Sequence, residues 1–77
     1  MTTPFRNVSI ALSSAQALVL FDWLTRCDDE GSFTYVHDAE ERVVWELQAQ
    51  LEKLLVEPFD PGYAHLLEKA RAEVVDD

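Results

Sequence analysis

The chain has one cysteine, Cys27, and only two glycines and three prolines among its 77 residues. A lone thiol excludes an intrachain disulfide. With only His37 and His65 beside it, Cys27 falls short of the four ligands that a structural zinc site takes, so no metal site is expected. Two glycines leave no loop that could cradle a phosphate. Basic residues are scarce as well: six Lys and Arg stand against fifteen Asp and Glu, a net charge of −9. Neutralising phosphates needs a clustered basic surface, so neither direct nucleic-acid binding nor attachment to an anionic membrane is expected. The longest apolar run, residues 17–21, is too short to span a bilayer. The opening Met1-Thr2-Thr3-Pro4-Phe5-Arg6 lacks the basic region and apolar run of a secretory signal. A cytoplasmic location is therefore expected, and a lone thiol fits it.

A chain of this length forms one domain and buries a modest fraction of its surface. Small domains are usually supplemented by disulfides, a metal or an oligomer. The first two are excluded or unpromising here, which leaves oligomerisation.

Hydrophobic periodicity predicts a mainly α fold with a three-helix core, at about 14–26, 39–57 and 61–74. An N-terminal extended segment or strand precedes it at about 6–12, and the ends at 1–4 and 76–77 are loose. In the first segment Val8, Ile10 and Leu12 point one way and Asn7, Ser9 and Ala11 the other. Its outward face carries no charge, which leaves the edge open to pairing with another chain. Ser13 and Gln16 form a capping box at the first helix. Ala17, Leu20, Phe21 and Leu24 form the stripe of that helix, widened by Leu18 and Trp23. Val19 lies outside it, and Arg26 suits the negative end of the helix dipole. Residues 27–32, with three acids and Gly31, read as a loop. Phe33-Thr34-Tyr35-Val36 suits either a short strand or an extended connection, and the connection is preferred.

The second helix carries the most information. Asp38 and Glu41 fit a capping box, and Pro58 predicts its end at Glu57. Val43, Val44, Leu47, Leu51, Leu54 and Leu55 share one broad face, while Trp45, Ala49 and Val56 form a second, narrower line. A helix at the edge of one small core needs one stripe. The second must be covered by another part of the chain or by another chain. Asp60 and Pro61 read as the cap and first residue of the third helix, whose stripe is Tyr63, Leu66, Leu67, Ala70 and Val74. The short corner between them predicts antiparallel second and third helices.

No catalytic constellation emerges. Cys27 follows a helix and adjoins Asp28, Asp29 and Glu30, which disfavours its thiolate. The cap explains Ser13 and Ser14, without the glycines of a nucleophile elbow. The acidic run 28–30 lacks the ligand spacing of a calcium loop. His37 and His65 are expected to be exposed. No catalytic residue, cofactor or metal is therefore assigned. The candidate partner-binding residues are Trp45, Ala49, Val56, Val19 and Trp23, since tryptophan buries much area at interface centres.

The runs Ala17-Leu18-Val19-Leu20-Phe21-Asp22-Trp23-Leu24, Ala39-Glu40-Glu41-Arg42-Val43-Val44-Trp45-Glu46-Leu47 and Leu51-Glu52-Lys53-Leu54-Leu55-Val56-Glu57-Pro58-Phe59 resemble those of short, uncharacterised bacterial proteins. The resemblance implies a small soluble bacterial protein without assigned activity, and no site residues. The resulting expectation is a small acidic, non-enzymatic protein-interaction module, a homodimer. The alternative is an acidic inhibitor, antitoxin-like or immunity-like, that blocks a basic partner.

Overall fold

The computed structural model describes residues 4–76. Its helices are α1 (Ser14–Glu30), α2 (Asp38–Leu54) and α3 (Tyr63–Val75), with a 3₁₀ turn at Glu57–Phe59. The fold is mainly helical, as the periodicity predicts. Residues 5–13 are extended, and there is no strand among the described residues. The loose ends expected at 1–4 and 76–77 fall mostly outside the described residues.

Local chemistry explains where the helix boundaries depart from expectation. At the start of α1 both capping-box bonds form: Gln16 N–H donates to Ser13 Oγ at 3.1 Å, and Ser13 N–H to Gln16 Oε1 at 2.9 Å. The helix then runs on through the acidic triplet that reads as a loop. Gly31 ends it at φ 65°, a left-handed conformation that favours glycine. Gly31 N–H donates to the Asp28 carbonyl and Ser32 N–H to the Cys27 carbonyl, the paired bonds of a Schellman closure. Arg26 is thus not in the last turn. It pairs instead with Asp22, one turn back.

The cap of α2 is His37, not Asp38. Its Nδ1 accepts from Ala39 N–H at 3.0 Å, while Glu40 Oε1 accepts from Val36 N–H at 2.8 Å. The expected Asp38–Glu41 box is replaced by these two bonds. The helix ends at Leu54, short of Glu57, because Leu55 turns extended and enters the core. Pro58 then sits inside the 3₁₀ turn, whose geometry it fits. The helix expected from Pro61 begins at Tyr63. Asp60 Oδ1 accepts from Gly62 N–H at 2.7 Å, and this Asx turn takes up the residues between.

The core is small. Ala15, Leu18 and Leu24 of α1, Leu51 and Leu55, and Leu67 and Ala70 of α3 are buried, and none is sealed completely. α1 is the central element: it packs most extensively on α3 and more narrowly on α2. The expected pairing of α2 with α3 contributes little. Because α2 meets α1 along one line, only Val44, Leu47, Leu51 and Leu55 of its broad stripe turn inward. Val43 and Leu54 are exposed.

The molecule is therefore open. Its radius of gyration is 14.6 Å, whereas a compact chain of this length has about 11.5 Å. Its accessible surface is 6542 Å², whereas a compact monomer of its mass exposes about 4,800 Å².

Candidate interaction surface

Part of the exposed apolar surface forms a groove. The arm, residues 5–13, runs beside the second half of α2 without closing on it. Between them lies a groove of about 690 Å³. Val8, Ile10 and Leu12 line it from the arm; Leu47, Leu51, Leu54 and Leu55 line it from α2. Val8, Ile10 and Leu54 are each about four-fifths exposed. Of the residues lining the groove, which also include Gln50 and three serines, none is charged. In a chain with net charge −9, such a region is unusual. The sequence contains the reason: residues 7–21 hold no ionisable side chain. Contiguous exposed apolar area of this kind marks an interaction surface.

The residues proposed from the helical pattern do not form one surface. Trp45 is half exposed and Ala49 is exposed. Both lie on α2 away from the groove, since they are about half a turn round the helix from Leu47 and Leu51. Val56 is exposed, but it follows the end of α2, so helical spacing no longer aligns it with Trp45. Val19 is partly buried against the core and is not an outer residue. Trp23 is half exposed and packs edge-on against Phe33, with ring centroids 5.8 Å apart. Phe33 stacks in turn on Tyr35 at 5.6 Å. The segment 33–36 is thus a connection, not a strand, whose rings pack on each other and on Trp23.

A polar knot joins α1 to α3. Asp22, on α1, accepts from Tyr63 Oη through Oδ1 at 2.9 Å. Its Oδ2 accepts from Arg26 Nε at 2.9 Å and from Arg71 Nη2 at 3.3 Å. Burial, then the bond to Asp22 and its charge, push the Tyr63 phenol up to about 12. The bond to Asp22 likewise raises Arg26. Tyr35 is raised mainly by burial, with help from the charges of Glu41 and Asp28. Hydrophobic periodicity does not single out Asp22. Its signal was the Asp22–Arg26 spacing of one helical turn.

Among the described residues no three His, Cys, Asp or Glu side chains come together to hold a metal. His37 serves as a cap, His65 is exposed, and Cys27 is half-buried at the end of α1. A second cleft, of about 330 Å³, lies between the start of α1 and the later half of α3. Its ionisable residues are Glu57, Lys69 and Glu73. No helix of the described residues is long and apolar enough to cross a membrane. No protein-family model matches the chain, and neither a characterised protein nor a solved structure is found to be similar to it.

Proposed function

We propose that the protein is a small, cytoplasmic, non-enzymatic interaction module that works as a homodimer. The supporting observation is the surface excess of about 1,800 Å² over a compact monomer. A standard interface removes about 800 Å² from each partner, and an obligate one more. One partner of similar size would thus absorb the excess. Sedimentation at micromolar concentration tests the reading. A dimer that persists in high salt is expected, since an apolar interface is little screened.

The charge of −9 favours a second reading, an acidic blocker of a basic partner. Asp28, Asp29 and Glu30 are exposed at the end of α1, and Glu46 and Glu52 are exposed on α2. Such a complex would dissociate as salt rises. A chain that sediments as a monomer and binds a polycation only in low salt would support this reading and contradict the first.

A further inference from the structure

The arm is incomplete as a structural element. Residues 6–12 are extended, yet no hydrogen bond joins them to any other described residue. In sequence Val8, Ile10 and Leu12 alternate with small polar or Ala residues as in a strand buried on one face, yet residues 8–12 all line the groove, and Val8 and Ile10 are about four-fifths exposed. Unpaired backbone beside exposed apolar surface is a template for another strand.

We propose that this strand comes from a second copy of the chain. The arms of two protomers pair antiparallel about a two-fold axis, and the resulting ribbon closes both grooves. This deepens the homodimer reading and rests on it.

Charge selects the occupant. The groove lining is uncharged, so a basic partner finds no counter-charge there. Two chains of net charge −9 meet with least repulsion across this same neutral region, because their acids lie elsewhere. The area agrees, since the excess of about 1,800 Å² per chain matches what a substantial dimer interface removes.

The apolar pattern also sets the register. A slip of one residue would turn every side chain to the wrong face. The alignment that opposes apolar residues throughout places Ile10 against Ile10 across the axis, and Val8 against Leu12. The trio from each arm then lies over Leu47, Leu51, Leu54 and Leu55.

The test uses the full chain in two formats. In sedimentation equilibrium, Ile10→Glu should weaken the wild-type dimer at least about 100-fold, because it buries an unpaired charge. Helix content by circular dichroism should stay unchanged, since the arm lies outside the helical core. In a Cys27→Ser background, Ile10→Cys should link to its partner with a short thiol–thiol reagent, while Ala64→Cys on α3 should not. A wild-type dimer that Ile10→Glu leaves within twofold of its affinity, or that fails to cross-link at residue 10, overturns arm pairing and leaves the homodimer standing. A wild-type monomer at millimolar concentration overturns both.

Discussion

Tyr63 reaches across from α3 to α1, and its hydroxyl donates to Asp22 Oδ1 at 2.9 Å. Forty-one residues separate the two in sequence, so this bond closes a long loop of the fold. A hydrogen bond to a charged acceptor contributes more than a neutral one, and partial exposure of the site reduces it. Tyr63→Phe should therefore destabilise the protein by about 1–2 kcal/mol in urea denaturation. The neutral phenol stabilises the fold, and its folded-state pKa of about 12 lies above the ordinary 10. Its contribution is complete below pH 10 and is lost as pH rises toward 12. Wild-type stability should fall across that window, and Tyr63→Phe should remove the part due to this residue. An identical alkaline profile in the variant would mean that the bond does not form.

The start of α2 offers a test of local reading. His37, not Asp38, supplies the capping atom. His37→Ala should cost about 1 kcal/mol, whereas Asp38→Ala, which loses only an exposed charge near the helix start, should cost about half as much or less. Denaturation midpoints of the two variants decide between the positions.

Gly31 closes α1 at φ 65° with nothing within 4 Å of an added Cβ. Gly31→Ala should thus lose stability through backbone strain alone, by about 1–2 kcal/mol. A neutral effect would place the end of α1 earlier, near Arg26, as the acidic run alone suggests.

Three helices, the extended arm and the Ser13–Gln16 box follow from periodicity and side-chain reach, which act over a few residues. The boundaries of α1 and α2 turned on single contacts. Gly31 let the helix absorb three acids, and Leu55 left α2 to enter the core. Those outcomes depend on tertiary packing that no local pattern encodes. Asp22 was overlooked for the same reason, because Tyr63 and Arg71 come to it from another helix. The second stripe of α2 is partly real: Trp45 and Ala49 are outward, while Val56 falls beyond the helix. The exposed groove was only half legible. The uncharged arm announced itself, but that α2 would leave Leu54 uncovered did not.

Trp45 separates the two faces of α2. If the arm ribbon forms the dimer, Trp45 stays outside it, and Trp45→Ala should leave the dimerisation constant within about twofold. A loss of about 2 kcal/mol or more in association, the mark of an interfacial tryptophan, would move the interface to the outer stripe.

The central claim is that this open fold is completed by a second copy of itself. Thermal unfolding followed over a hundredfold range of protein concentration tests it most directly, because dissociation is coupled to unfolding only if the native state is a dimer. The account predicts a midpoint that rises by roughly 5–10 °C across that range for a chain of this size. A midpoint independent of concentration, in a protein that sediments as a monomer throughout, would contradict it.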